Sequence, residues 1–157
     1  MNILYVCENN VIRSVVAEIL TREKTADLSD LHVHVDSAGL KPYNLQLKPS
    51  SYFFTALRRA GYKTRRHVPK DVTVSLMTKQ DVIIAINRQV KEALLSMAPE
   101  MKPRIHSLAE FSNQDVPEFS ESLAAVAYTS RETAIEFWTD YIKKLEKCVQ
   151  AVISRIS

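Results

Sequence analysis

Cysteine is scarce in this sequence: there are two among 157 residues, Cys7 and Cys148, and they stand at opposite ends of the chain. Two distant thiols do not make a disulfide framework, so both are expected to be reduced. Long apolar runs are missing as well. No stretch approaches the length of a bilayer span, and Met1 to Val6 lacks the basic start and long apolar run of a secretory signal. The expectation is a cytoplasmic protein with no membrane partner. Charge of one sign is not gathered in a long run: the net charge is +3. A nucleic-acid partner is therefore not needed to explain it, while an anionic substrate would be welcome. Internal repeats, low-complexity tracts and linkers are absent. With 46% hydrophobic and 25% charged residues, the chain reads as one domain over 1–157 with its own core. His32 and His34 share a face of a strand pattern, but no third ligand stands at a matching spacing, so neither metal nor cofactor is expected.

What is present is an alternation of strand and helix patterns. Ile3 to Val6 is an apolar opening run, and Val15, Val16, Ile19 and Leu20 then form a stripe at helical spacing that ends near Thr25, with Glu18 and Arg22 left for the wet face. Leu31, Val33 and Val35 alternate with His32, His34 and Asp36, the pattern of a half-buried strand running into Ser37-Ala38-Gly39. Pro49, Ser50 and Ser51 open a second helix that carries Phe53, Phe54 and Leu57 and stops at Gly61, a left-handed C-cap. Asp81 to Ile86 reads as a strand buried on both faces. Asn87 caps a third helix with Val90, Ala93 and Leu94 inward, closed by Pro99 and Pro103. Arg104 to Leu108 reads as a fourth strand and Glu110 to Glu121 as a polar loop. A final helix carries the stripe Ile135, Trp138, Ile142, Leu145, Val149, Val152 and Ile156, together with Cys148. This order predicts an α/β fold: a single doubly wound domain with a four-stranded parallel sheet flanked by helices, and ligands at the carboxyl ends of the strands.

Cys7 lies at such an end. The segment Cys7-Glu8-Asn9-Asn10-Val11-Ile12-Arg13-Ser14 sits between the first strand and the first helix, where backbone N–H groups and the positive end of the helix dipole converge on a volume suited to a tetrahedral oxyanion. A cysteine facing those groups and a guanidinium is expected to exist partly as thiolate, the nucleophilic form. Arg13 offers a planar fork of donors that can hold two oxygens of a phosphate at once. Phosphate, sulfate or vanadate would fit at this loop.

Val6-Cys7, Asn10, Arg13-Ser14, Ala17-Glu18 and Asp36-Ser37-Ala38-Gly39 together resemble the low-molecular-weight protein tyrosine phosphatases over nearly the whole chain. The stretch Leu94 to Met101 is similar to bacterial members that oppose the tyrosine autokinases of exopolysaccharide assembly. The resemblance implies a phosphotyrosine protein substrate, with a bacterial tyrosine kinase as one possible partner. It further implies a phosphocysteine on Cys7, phosphate binding by Arg13 and by the loop residues Glu8, Asn9, Asn10, Val11, Ile12 and Ser14, a left-handed Asn10, and hydrogen bonds from Ser14 and Ser37 within the loop. Taken without the family, Ser14 is a plain helix N-cap and Ser37 a strand-end turn.

Four departures from the family pattern stand out. Asn9 occupies a usual glycine position, as the side chain best able to tolerate positive φ. Ile12 replaces a frequent second cysteine that would trap an oxidised Cys7 as a disulfide. Glu8 places a carboxylate near a dianionic substrate. The family's Asp-Pro general acid has no match: Asp115-Val116-Pro117-Glu118-Phe119 puts Glu118 on the acid position, with Asp115 as the rival. Tyr43 and Phe119 are candidates for an aromatic wall against the phenyl ring. The basic cluster Lys63, Arg65, Arg66 and His67 reads as a solvated loop, with docking of an acidic phosphopeptide as the alternative. The functional expectation is a phosphotyrosine phosphatase. Alternatives are a weak or inactive oxyanion-binding member and, behind it, an arsenate reductase, which needs further thiols where only Cys148 is available.

Overall fold

A computed structural model of the protein describes residues 1–42, 52–117 and 130–157. The strands β1 (Asn2–Cys7), β2 (His34–Gly39), β3 (Val82–Ala85) and β4 (Ile105–Ser107) pair in parallel, in the spatial order β2-β1-β3-β4. Around them lie helices α1 (Arg13–Thr25), α2 (Tyr52–Arg59), α3 (Val74–Thr78), α4 (Arg88–Met97), α5 (Leu108–Ser112) and α6 (Arg131–Ile156). Because β1 lies between β2 and β3, the chain must cross it on the way from one to the other. The strand order therefore reverses beside the carboxyl end of β1, which is where open α/β sheets bind ligands. Cys7 is the last residue of β1 and pairs in register with Gly39 of β2.

The sheet is apolar on both faces. Ile3, Leu4, Tyr5, Val6, Ile83 and Ile84 are all buried, as strands covered by helices on each side must be. Helix α1 packs on β1, β2 and α6, while α4 packs on β3 and β4. The long helix α6 brings Trp138 into the core, edge-on to Phe53, Phe137 and Tyr141. The buried hydroxyl of Tyr5 meets Thr21 Oγ1 at 2.8 Å, which joins sheet to α1 by a polar contact inside the core.

Local chemistry sets the element ends. Gly61 takes φ +94° after α2; its N–H reaches Arg58 O and the next N–H, of Tyr62, reaches Leu57 O, the paired closure that a left-handed residue permits. Asn87 Oδ1 accepts from Val90 N–H at 2.9 Å and starts α4. The proposed opening of α2 at Pro49, Ser50 and Ser51 lies outside the described residues.

The structure departs from the sequence reading in four places. Strand β2 begins at His34 rather than Leu31. Two short helices were not foreseen. One is α3, capped by Thr73. The other is α5, which occupies the start of the supposed polar loop from Glu110: Ser107 and Glu110 form a reciprocal capping box, and Asn113 at φ +52° ends the turn. Five residues are too few for a readable apolar stripe, so only the caps announced these helices. Glu18, assigned to the wet face of α1, is instead buried.

Candidate active site

The loop 8–12 carries the chain from the end of β1 to the start of α1. Cys7 is 2% exposed at its base. Its Sγ accepts the Asn10 backbone N–H at 3.2 Å and lies 3.0 Å from Ser14 Oγ. Asn10 makes this possible by turning left-handed, with φ +51°. The residue with positive φ is thus Asn10 and not Asn9. Ser14 is the second residue of α1, two past the capping position held by Ile12, so its hydroxyl is not an N-cap.

The proton positions follow from counting donors. The Asn10 side-chain amide donates to Ser14 Oγ at 2.9 Å and to Ser37 Oγ at 3.0 Å, while its Oδ1 accepts the Lys70 backbone N–H at 3.0 Å. Rotating the amide by half a turn would set its NH2 against that N–H, so the orientation is fixed. Ser14 already accepts from Asn10, which leaves its own hydroxyl proton for Cys7 Sγ. Ser37, likewise, donates to Glu18 Oε2 at 2.5 Å. Two donors therefore converge on the sulfur, and a carboxylate behind Ser37 anchors the other end of the chain of hydrogen bonds. Arg22 pairs with Glu18 from the next turn of α1. Charge-assisted bonds of this kind are roughly twice as strong as neutral ones, and buried networks hold a single geometry only when every member is satisfied.

His67 completes the support. Its Nε2 lies 2.9 Å from Asn10 O and 3.1 Å from Asn10 Oδ1, both acceptors, so Nε2 carries the proton. Burial pushes the imidazole below its usual range; Lys70 and Arg65 push the same way, against the bond to Asn10 and the charge of Asp36. Gly39 supplies space. A Cβ there would come within 2.8 Å of Asn10 N and 3.0 Å of Asn9 C, distances that backbone atoms do not tolerate. The carbonyl oxygens of Cys7 and Glu8 accept the N–H groups of Leu40 and Lys41, which ties the loop to the chain leaving β2.

Of the residues singled out in the sequence, the structure brings Cys7, Asn10, Ser14 and Ser37 into one hydrogen-bonded group. Arg13 opens α1, half-buried, while Glu8, Asn9, Val11 and Ile12 line the rest of the loop, also half-buried. Both Arg13 and Cys7 act electrostatically on the buried Tyr141 of α6, which places that helix close to the site. Asp115 is exposed beyond α5, and its carbonyl accepts from Cys148 Sγ at 3.5 Å. Its carboxylate has no hydrogen bond to the loop among the described residues. Tyr43, Glu118 and Phe119 lie outside the described residues. Both cysteines are free, and burial raises the Cys148 thiol. His32 and His34 are exposed, and no group of three candidate metal ligands occurs among the described residues.

Sequence reading misses the burial of Glu18, the part of Lys70, the fit of Gly39 against the loop and the contact of His67 with Asn10, although Glu18 and Gly39 both stand in the stretches that carry the family resemblance. Glu18 leaves a trace in spacing as well: an acid on α1 with Arg22 four residues on suggests an ion pair, though not a buried one.

Residues 2–156 match the family model described as low molecular weight phosphotyrosine protein phosphatase. The chain belongs to that family. A curated relative, the low molecular weight protein-tyrosine-phosphatase PtpA of Staphylococcus haemolyticus, is 28% identical over 125 residues, covering 75% of this chain and 77% of its own. The low molecular weight protein tyrosine phosphatase of T. tengcongensis shares the fold, with a TM-score of 0.81 at 23% identity over 98% of both chains. So does the YwlE arginine phosphatase of Geobacillus stearothermophilus, with a TM-score of 0.76 at 19% identity, covering 98% of this chain and 90% of that one. Fold-level likeness thus spans proteins named for two different phosphorylated side chains. Within the low-molecular-weight phosphatases the substrate must be argued from the site and tested.

Proposed function

We propose that this protein hydrolyses phosphotyrosine in proteins through a phosphocysteine on Cys7. The observation that carries the reading is the sulfur at the carboxyl end of β1, with the Asn10 N–H and the Ser14 hydroxyl directed at it and Arg13 six residues on at the start of α1. The nucleophilic form of a cysteine is the thiolate, and a sulfur in that form would accept both bonds. The thiolate attacks phosphorus in line; an S–P bond forms as the bond from phosphorus to the tyrosine oxygen breaks. That oxygen takes a proton from a carboxylic acid, for which Glu118 and Asp115 are the candidates. Water then attacks phosphorus and gives a proton to the same carboxylate, which restores the acid, while the S–P bond breaks, the thiolate is set free and orthophosphate leaves. Throughout, Arg13 and the loop N–H groups carry the charge on the equatorial oxygens, the larger part of catalysis in phosphoryl transfer. The aromatic wall assigned to Tyr43 and Phe119 would favour a flat phenyl ring.

A second reading, an oxyanion-binding member without turnover, is favoured by Glu8 beside the nucleophile, by Asn9 in place of glycine, and by the exposed position of Asp115. Loss of general-acid help costs about 10²- to 10⁴-fold and would by itself leave a slow enzyme. An arsenate reductase would need a relay thiol, and the buried Cys148, its thiol held up by desolvation and its Sγ on the Asp115 carbonyl, suits that role poorly.

Steady-state hydrolysis of p-nitrophenyl phosphate, a phosphotyrosine peptide and a phosphoarginine peptide, without added metal, tests the proposal. Turnover of the phosphotyrosine peptide, abolished in Cys7→Ser and Arg13→Ala, is expected. Loss of the basic limb of the pH profile in either Asp115→Asn or Glu118→Gln would name the acid. Preference for phosphoarginine would overturn the substrate, and no turnover above the Cys7→Ser background would overturn the enzyme.

A further inference from the structure

A cleft of about 540 Å³ lies between α1 and residues 63–70. None of the residues from Cys7 to Ser14 lines it. Its lining is unbalanced in charge. Arg22 and Lys70 are spoken for, by Glu18 and Asp36 respectively. Lys63, Arg65 and Arg66, all exposed and without an ion pair among the described residues, face only Glu23 as a further acid. Among the described residues the lining therefore carries an excess of two positive charges, five cations against Glu18, Glu23 and Asp36, where the entire chain carries +3. Burial, and after it the neighbouring Arg65, keep Arg22 below its usual range, so the cations here work against each other.

Such an arrangement is relieved by an anion. Its shape speaks for an extended one: unpaired donors are spread along residues 63–66, whereas a single phosphate is held by a compact cradle. Arginine forks suit phosphate oxygens in pairs. Among the described residues no Phe, Tyr or Trp lines the cleft, so they offer no platform on which a nucleobase would stack. We infer that this cleft is a binding site for an oligophosphate chain, separate from the catalytic loop, with Arg65, Arg66 and Lys63 as its principal ligands.

Calorimetric titration with tripolyphosphate at fixed ionic strength near 0.1 M, where screening acts over about 10 Å, tests this without reference to turnover. The Arg13→Ala protein is used so that the catalytic loop lacks its clamp. Tripolyphosphate is expected to bind it, with orthophosphate far weaker. Adding Arg65→Ala and Arg66→Ala, both at exposed positions, is expected to weaken binding about tenfold or more, since each change removes a charge-assisted donor. A control with Lys143→Ala and Lys147→Ala, exposed on α6, lowers the net charge equally and is expected to bind as its parent does. Binding that disappears with Arg13→Ala alone would place the ligand in the catalytic loop and overturn the inference. Equal weakening by the α6 control would reduce it to general attraction, and ATP binding more tightly than tripolyphosphate would overturn the chain as the recognised part.

Discussion

Asn10 shows how much one residue is asked to do. Its backbone turns left-handed, its N–H meets Cys7 Sγ, and its side chain joins both serines, Lys70 and His67. Replacement by glycine keeps the left-handed backbone and removes the side chain; replacement by alanine removes both. Urea denaturation is expected to place Asn10→Gly about 2–3 kcal/mol below wild type, from buried groups left unpaired, with Asn10→Ala lower by a further 1–2 kcal/mol. Equal stability of Asn10→Gly and wild type would show that the side-chain network is not what holds the loop. His67 gives a pH signature. Its folded pKa lies below the unfolded value of about 6.5 because burial disfavours the charged ring, with Lys70 and Arg65 adding to this against the bond to Asn10 and the charge of Asp36. Between the two values the unfolded chain binds the extra proton, so stability falls as pH drops below about 6.5. In His67→Gln, which keeps an N–H for Asn10, that fall between pH 7 and 5 is expected to be shallower, as read from thermal melts. It does not vanish, because His106 is displaced in the same direction.

At the scale of elements, the site is made where three pieces of chain meet: the end of β1, the start of α1 and the end of β2. Gly39 is the point of closest approach. Alanine there would drive a Cβ to 2.8 Å from Asn10 N, and because the obstacle is backbone, the loop must move. Gly39→Ala is expected to cost about 1–3 kcal/mol and, on the proposed function, to lower kcat on p-nitrophenyl phosphate. A folded, fully active Gly39→Ala protein would mean that the loop tolerates displacement. The capping box of α5 makes a contrasting case. Ser107→Ala removes it and is expected to cost about 1 kcal/mol, a melting shift of roughly 2–4 °C. Turnover at temperatures well below the melt should be unchanged, since Ser107 and Glu110 take no part in the Cys7 network. Both short helices are instructive about legibility. The Ser107-x-x-Glu110 signature is present in the sequence, but a five-residue helix has no apolar period to go with it, and reading by period passed over it.

For the whole molecule, an anion held by the native loop and not by the unfolded chain must stabilise the fold by mass action. Vanadate at about 100 times its Kd is expected to add about 2.7 kcal/mol, a rise of roughly 5–10 °C in the melt by the scaling for this chain length. The Arg13→Ala protein should show little of that rise; an equal rise would place the anion elsewhere. What the sequence by itself determined about this protein is local in origin. Apolar runs of four residues, a helical stripe and a left-handed glycine at Gly61 are set by neighbours in the chain, and they carried the parallel α/β order. The strand-loop-helix setting pointed to Cys7 and Arg13 as well, because the two lie within one short segment. The tertiary structure alone decided which residues stand behind that segment. Glu18 reaches the site by crossing to Ser37, His67 by a contact 57 positions from Asn10, and Gly39 through strand pairing. None of these has a period or spacing of its own. A buried acid on a helix looks in sequence like an exposed one until the neighbouring strand supplies the hydroxyl that accounts for its burial.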